Sequence, residues 1–244
     1  MKTQKYTPLF FILLIFFACK KETPVTRVVK FNKTTYQTLG TFNSLGKPDY
    51  LLPKDSISSS LLAFIGNTLD GRDLRTTNPD LLASTASADI TITQPSDVFV
   101  TFVSQGGGYT NSIAFYTYPT NQPPASADDI KVITYIFPNS GNLTPLEAGD
   151  KVKIGRFDVG TSIGFVLLQK AWNITTQALD NDVVHFCSND LLNPEVDPSL
   201  KKHAVLINYP AENKILIGFE DLDRTKSLCD NDFNDVVFYC TITP

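Results

Sequence analysis

Short apolar and β-branched runs recur from Asp89 to the C-terminus, and Gly, Pro, Asn and Asp separate them. Runs of this length bounded by turn-forming residues, with no helical pattern between them, are typical of antiparallel β-structure. The predicted strands are Ile90–Thr93, Val98–Ser104, Ser112–Tyr118, Ile130–Phe137, Lys151–Phe157, Ser162–Lys170, Asp182–Cys187, Lys202–Asn208, Lys214–Glu220 and Val236–Ile242. The pattern therefore predicts an all-β fold, an antiparallel β-sandwich or jelly-roll, over residues 85–244.

A different period precedes these strands. Apolar residues from Ile57 to Leu69 recur at helical spacing, with Asp55 or Ser56 as the expected N-cap and Gly71 as the terminator. We expect this short helix to form a helical appendage over residues 51–84. The chain is 42% hydrophobic and 19% charged, which is enough apolar content to bury a core.

The N-terminus has the pattern of a bacterial signal peptide. Lys2 and Lys5 precede the uncharged run Leu9–Ala18, and Cys19 follows directly. Ten helical residues rise only about 15 Å, half of a hydrocarbon core of about 30 Å, so this run is too short for a permanent span. We predict a lipoprotein signal peptide over residues 1–18, lipidation of Cys19 and a polar tether over residues 19–50. The alternative is an ordinary signal peptide with a chance cysteine.

These features place the mature chain in the cell envelope, held by its lipid, with the outer membrane as the expected location. The net charge is −4 and the pI about 5.2, which argues against a nucleic-acid partner. With only two histidines, a His-rich zinc site is disfavoured. Cys229 and Cys240 flank an acidic segment, and two readings stay open: a disulfide bridge, or small buried apolar side chains.

The acidic segment reads FEDLDRTKSLCDNDFND from Phe219 to Asp235 and lies between two apolar strands. So many carboxylates repel one another unless a cation or hydrogen-bond donors neutralise them, and calcium takes six to eight oxygen ligands. The candidate metal ligands are Glu220, Asp221, Asp223, Asp230, Asp232, Asn234 and Asp235. The alternatives are side chains that only cap turns, and catalysis.

Within this segment Asp230, Asp232 and Asn234 alternate as the first ligands of an EF-hand loop do. An EF-hand is nevertheless rejected, because Asp235 stands where its glycine would be and Thr241 where its closing Glu would be. A calcium loop without flanking helices remains.

Two other polar segments carry weaker signals. The segment Ser104–Asn111 contains three consecutive glycines between two strands, and we expect a structural hairpin turn rather than a phosphate loop. The segment Ser188–Glu195 is expected to be a plain loop, with added oxygen ligands as the alternative. His185 and His203 lie in predicted strands and are expected to be surface or satisfied core histidines rather than catalytic bases.

The string Gly218–Leu222 followed by Asp230–Phe238 resembles the C-terminal signature of a bacterial surface-protein family. This is the family known as domain of unknown function 4114, with related LruC-type lipoproteins. Weaker similarities, in the family's order, are at Gly108–Asn111, Ile136–Asn139, Gly160–Phe165 and Leu192–Glu195. The resemblance implies an exported β-rich domain whose recurring acids have suggested an enzymatic activity without an assigned reaction.

One departure from the family bears on that activity. Gln105 stands where relatives tend to have Glu, and an amide cannot act as a general base, although it can offer an oxygen to a cation. The sequence therefore favours a lipid-anchored, calcium-binding protein in cell-surface binding or adhesion, with a surface glycan or protein as ligand and no assigned catalytic residue. The alternatives are a carboxylate-dependent hydrolase acting on carbohydrate, for example through Glu220 and Asp232, and a purely structural envelope protein.

Overall fold

A computed structural model describes residues 26–83, 85–86 and 89–244 of the chain. The predicted signal peptide and Cys19 lie outside the described residues. Within the described ranges, every helix is too short or too polar to cross a membrane.

The described residues form thirteen strands and two α-helices, and all ten predicted strands are present with bounds within three residues. In chain order the elements are β1 (Thr35–Thr38), α1 (Ser59–Thr68), α2 (Leu74–Thr77), β2 (Ile90–Thr91), β3 (Ser96–Ser104), β4 (Ser112–Pro119), β5 (Val132–Phe137), β6 (Lys151–Phe157), β7 (Thr161–Leu168), β8 (Trp172–Asn173), β9 (Ala178–Leu179), β10 (His185–Cys187), β11 (Ala204–Tyr209), β12 (Lys214–Phe219) and β13 (Val236–Thr243). Short 3₁₀ turns lie at Pro79–Leu82, Ala127–Asp129, Asp190–Leu192, Pro198–Leu200 and Pro210–Glu212.

Two sheets pack face to face, which confirms the predicted all-β sandwich. The first sheet has the order β1-β5-β4-β7-β10, with β2 also paired to β7, and the second has the order β11-β12-β13-β3-β6. Every described pair within these sheets is antiparallel except β1 with β5, which run parallel. Fully buried rings from both sheets, such as Phe165 and Phe238 at 5.2 Å between centroids, fill the space between them.

The outer face of the second sheet is covered by α1. Leu61, Ile65 and Leu69 lie in one buried cluster with Leu216 and Val237 of the sheet. The predicted helix is therefore present, but it begins later than expected, because Ser58 rather than Asp55 or Ser56 accepts the capping bond from the Leu61 N–H at 3.0 Å. The apolar stripe is core packing, so this helix is a layer of the sandwich.

The segment expected as a tether differs from that expectation where the structure describes it. Residues 35–38 form β1 in register with β5, and the Arg27 N–H donates to the Pro194 carbonyl at 2.7 Å. The local signal for this strand is weak, because Thr-Tyr-Gln-Thr is short and mostly polar and its pairing partner lies about a hundred residues away.

The structure decides between the two interpretations of Cys229 and Cys240, which were a disulfide bridge and small buried apolar side chains. In the described part of the chain, Cys187, Cys229 and Cys240 are all buried and all free, so the bridge between Cys229 and Cys240 is wrong. Cys240 is 0% exposed in the central core, where a thiol behaves as a small apolar side chain. Burial, followed by the charge of Glu220, raises the pKa of the Cys229 thiol, which keeps it protonated.

Both histidines are buried and hydrogen-bonded, which is the core alternative. His185 stacks on Phe31 with 4.4 Å between ring centroids, and its Nε2 lies 2.8 Å from the Tyr36 hydroxyl. The ring of His203 stacks on Phe186 at 3.9 Å, and its Nε2 lies 2.9 Å from Glu195 Oε1.

The buried His185 predicts an acid-sensitive step in stability. Burial lowers the pKa of His185 to about 4, against about 6.5 in the unfolded chain, so the unfolded state binds more protons between these values. The free energy of unfolding contributed by neutral His185 is thus complete above pH about 6.5 and falls toward pH about 4, by up to about 1.4 kcal/mol per pH unit. Denaturant titrations across this window should show a steeper loss for the natural chain than for His185→Gln, whereas parallel curves would contradict the assignment.

Candidate cation site in the acidic loop

The residues Glu220–Asp235, which we call the acidic loop, connect β12 to β13. These strands pair with Phe219 opposite Val236, so the predicted hairpin is confirmed and both ends of the loop meet at one end of the second sheet. The Asp235 N–H donates to the Phe219 carbonyl at 3.1 Å. Acids at the first and last positions of the loop are therefore neighbours in space.

An aromatic anchor holds the middle of the loop in the fold. Phe233 is 0% exposed and lies in the cluster formed by α1 and the second sheet. The Arg224 guanidinium lies over its ring, 5.4 Å from the centroid, and donates to Asn231 Oδ1 at 2.9 Å and to the Lys202 carbonyl at 3.0 Å. Asn231 and Phe233 have φ of 60° and 58°, a left-handed conformation that is unusual for phenylalanine.

Five carboxylates of the loop form two groups that share Glu220. The first, the inner group, is Glu220, Asp221 and Asp235; the second, the outer group, is Glu220, Asp230 and Asp232. In each group one oxygen from every member lies within 4.8 Å of the others. Two oxygens bound to one calcium at about 2.3–2.6 Å are at most about 5 Å apart, so each group has the dimensions of a calcium site.

The inner group is mostly buried and is contacted by residues of both sheets. Glu220 and Asp221 are 0% and 2% exposed, and Asp235 is half-buried. Asn111, just before β4 of the first sheet, donates from Nδ2 to Asp221 Oδ2 at 2.6 Å, and Gln169, just after β7, donates to the Asp221 carbonyl at 2.6 Å. Both sheets therefore contribute to holding this group.

The outer group opens to solvent through Asp230, which is exposed, while Asp232 is buried. Asp232 also caps local turns: it accepts from the Gly71 N–H at 3.1 Å and from the Asn234 N–H and Nδ2 at 3.1 and 2.6 Å. These bonds use three of its roughly four lone-pair positions, which leaves one for a cation. The turn-capping alternative is thus present at Asp232 alongside its place in the outer group.

Two of the predicted ligands, Asp223 and Asn234, contribute no carboxylate to either acid group. Asp223 caps the Thr225 N–H at 2.9 Å and lies 3.5 Å from Lys226, and it belongs to neither group. Asn234 uses its amide nitrogen on Asp232, and its Oδ1 faces the glycine-rich segment. The structure brings together the other five candidates.

The glycine-rich segment has a different role from the one expected. It joins β3 of the second sheet to β4 of the first, so it is a crossover between sheets, and the hairpin prediction is wrong. Alternating runs identify strands but not their partners, which is why the sequence suggested a hairpin. The Gly106 N–H donates to the Asn234 carbonyl at 3.1 Å, and a Cβ on Gly107 would lie 2.6 Å from Asp221 Oδ2. Glycine is required here because the backbone lies directly on the acids.

Crowding of buried acids shifts their ionisation. Burial, followed by the charges of Asp221 and Glu220, raises the pKa of Asp235 to about 9, and burial raises the pKa of Asp232 to about 6. Burial also raises the pKa values of Glu220 and Asp221. When no cation is bound, a proton on Asp235 removes one of several adjacent negative charges. It therefore partly neutralises the acids, as a cation would.

Two acceptors around the site lack N–H donors. Glu220 Oε2 is buried and accepts no hydrogen bond from an N–H group, so the Glu220 carboxylate depends on the proton shared with Asp235 and on the Leu222 N–H, which donates to Oε1 at 3.2 Å. Gln105 Oε1, next to the glycines that cover the inner group, is buried and has no donor. An oxygen acceptor left without an N–H donor in a carboxylate cluster, as Glu220 Oε2 is, suits a hard cation such as calcium.

Sequence reasoning missed the residues that support the loop from elsewhere in the chain. Asn111 and Gly71 bond to the acids from 110 and 161 residues away, and no local pattern predicts such pairs. His203 Nδ1 lies 3.0 Å from the Glu220 carbonyl, and its Nε2 contacts Glu195 from the segment Ser188–Glu195. That segment therefore contacts the loop through His203. Among the described residues, it adds no oxygen to either acid group.

Replacing Gly107 tests the close approach of the two loops. In Gly107→Ala the new methyl would lie 2.6 Å from Asp221 and 2.9 Å from Asp235, so it must push these carboxylates apart. We expect a loss of about 1–3 kcal/mol in the free energy of unfolding, the usual cost of overpacking, and weaker calcium binding. Gly108→Ala is the matched control, because a Cβ there meets nothing within 4 Å. Equal effects of the two substitutions in denaturant titrations would contradict the geometry.

Part of the chain is similar to a known protein family. The model of the family described as Domain of unknown function (DUF4114) matches residues 157–243, from the end of β6 to the end of β13. A search of curated proteins gave no match, and neither did a search of solved structures. The matched region includes the whole acidic loop, whereas Gly107 and Asn111 precede it. Residues 157–243, about a third of the chain, are therefore similar to the DUF4114 family.

Proposed function

We propose that this protein is an exported, lipid-anchored β-sandwich whose acidic loop binds calcium and serves binding or adhesion at the cell surface. One observation carries the calcium assignment: Glu220 is fully buried, has an oxygen without an N–H donor, and belongs to two groups of carboxylates within 4.8 Å. Within the described residues, none of the five grouped acids forms a salt bridge, and Arg224 bonds to Asn231 and backbone carbonyls instead.

Calcium suits these groups better than zinc or magnesium. The donors in both groups are carboxylate oxygens, without a histidine or thiolate in either group. Calcium tolerates irregular coordination by such oxygens, whereas magnesium requires a near-ideal octahedron. The expected dissociation constant is about 10⁻⁴ to 10⁻³ M, the range of extracellular calcium modules.

The same geometry favours binding over hydrolysis. A glycosidase needs two carboxyls about 5–9.5 Å apart on either side of a sugar in an open cleft. Glu220 and Asp232 offer oxygens within 4.8 Å of each other, and their side chains are 0% and 4% exposed. A sugar ring has no room between them, so a cation is the better occupant.

Calcium titration of the full chain by calorimetry tests the cation assignment. We expect heat of binding for the natural chain, a large loss of affinity for Asp221→Asn combined with Asp235→Asn, and an unchanged response for Asp223→Asn, the matched control in the same loop. Absence of calcium binding by the natural chain would overturn the proposal.

The anchor needs a separate experiment because Cys19 is independent of the loop. In bacterial cells that process lipoproteins, the natural chain should sediment with membranes and incorporate a labelled fatty acid. Cys19→Ser should do neither. Equal labelling of both chains would contradict lipidation at Cys19.

A further inference from the structure

The two acid groups have different members apart from Glu220, and this limits what one ion can bind. The inner group contains Asp221 and Asp235, and the outer group contains Asp230 and Asp232. These four acids do not come together with Glu220 as a single group in the described residues. One cation therefore cannot be bound by all five carboxylates.

Glu220 is placed to contact two ions. A carboxylate has two oxygens and about four lone-pair positions, of which the Leu222 N–H uses one. The side chain is 0% exposed, Oε2 is buried without an N–H donor, and the carboxylate belongs to both acid groups. A buried carboxylate between two further pairs of acids is the usual way in which an oxygen-rich site bridges two hard cations.

The geometry points to a two-cation site in which Glu220 bridges an inner ion held by Asp221 and Asp235 and an outer ion held by Asp230 and Asp232. This inference rests on the proposed calcium function and adds the number of ions and their separate roles. Five carboxylates carry five negative charges when ionised. Two divalent cations reduce that charge to about −1, whereas one cation leaves about −3 in a largely buried volume.

The two ions differ in access to solvent. The inner ion would lie under the glycine-rich segment, with Gly107 against Asp221 and Asp235, so its protein ligands and the covering backbone leave little space for water. The outer ion is reached through the exposed Asp230 and keeps water in the positions that the protein does not fill. Those water positions are where an oxygen of a surface ligand, a sugar hydroxyl or a carboxylate, can coordinate. The inner ion is therefore structural, and the outer ion is the exchangeable one.

Counting bound calcium per chain by equilibrium dialysis tests the inference. We expect two ions for the full natural chain and for Asp223→Asn. One ion is expected for Asp221→Asn with Asp235→Asn, and one for Asp230→Asn with Asp232→Asn; Glu220→Gln should weaken both ions. Circular dichroism checks that each variant folds, and the two double variants decide the question even if Glu220→Gln does not fold.

The outcomes separate this inference from the proposed function. One ion in the natural chain, lost in both double variants, would overturn the two-cation site and keep the calcium function. No ion in the natural chain would overturn both. Terbium luminescence lifetimes in H₂O and D₂O then compare the two single-ion variants: more bound waters are expected on the ion left with Asp230 and Asp232, and equal hydration would contradict the assigned roles.

Discussion

Calcium should raise the melting temperature of this protein, and a chelator should lower it. A ligand that binds only the folded state at about 100 times its dissociation constant adds about 2.7 kcal/mol, or about 5–10 °C for a chain of this size. The effect is expected because a cation neutralises Glu220, Asp221 and Asp235, which are buried together without a cationic side chain at salt-bridge distance in the described residues. Differential scanning calorimetry in calcium and in chelator measures it.

Asp235→Asn gives this experiment a sharper form. The amide keeps the oxygen that accepts from the Asp221 N–H at 2.7 Å and removes a charge from the crowded group. We expect the variant to be at least as stable as the natural chain in chelator and less stable in calcium, so that the order reverses. Asp223→Asn should behave as the natural chain in both solutions. If calcium leaves the melting temperature of the natural chain unchanged, the loop is held by protons and turn caps alone.

Phe233→Ala should be strongly destabilising although the residue lies in a loop. Its ring is 0% exposed, packs with α1 and the second sheet, and carries the Arg224 guanidinium over its face. Truncating a buried phenylalanine costs about 3–5 kcal/mol, so we expect the melting temperature to fall by about 6–20 °C for a chain of this size. Denaturant titration and calorimetry measure the loss.

The same loop offers a control for Phe233→Ala. Leu228 is 84% exposed, and Leu228→Ala should change the free energy of unfolding by less than about 0.5 kcal/mol. Calcium affinity separates anchoring from general stability, because Phe233 lies between the outer-group Asp232 and the inner-group Asp235. We expect Phe233→Ala to weaken calcium binding even where the chain is still folded. Unchanged affinity would show that the acids keep their positions without the anchor.

The sequence predicted the strands because each strand carries its own signal. Runs such as Lys151–Phe157 are bounded by turn residues and bury alternate or successive side chains, and this one was predicted with its observed bounds. Pairing between strands carries no such local signal. The strand β3 pairs with β6 and with β13, which is more than a hundred residues away, and not with β4, so the glycine-rich segment between β3 and β4 was mistaken for a hairpin turn.

The sequence also predicted only part of the candidate site: it identified the loop but not which acids meet in it. The density of acids from Glu220 to Asp235 identified the loop, and five of its seven predicted ligands lie in the two groups. Which acids meet depends on the hairpin register and on distant residues such as Asn111 and Gly71. Asp223 was included by its position in the sequence, but its carboxylate turns onto Thr225 and Lys226.

The bond from Asn111 to Asp221 has a consequence for the order of folding. The hairpin of β12 and β13 closes a short stretch of chain and can form early, whereas Asn111 and Gly107 reach it only after the two sheets dock across 110 residues of sequence. The inner ion site is therefore completed late in folding. For the exported protein proposed above, calcium that binds after the two sheets have docked would slow the unfolding of the finished sandwich.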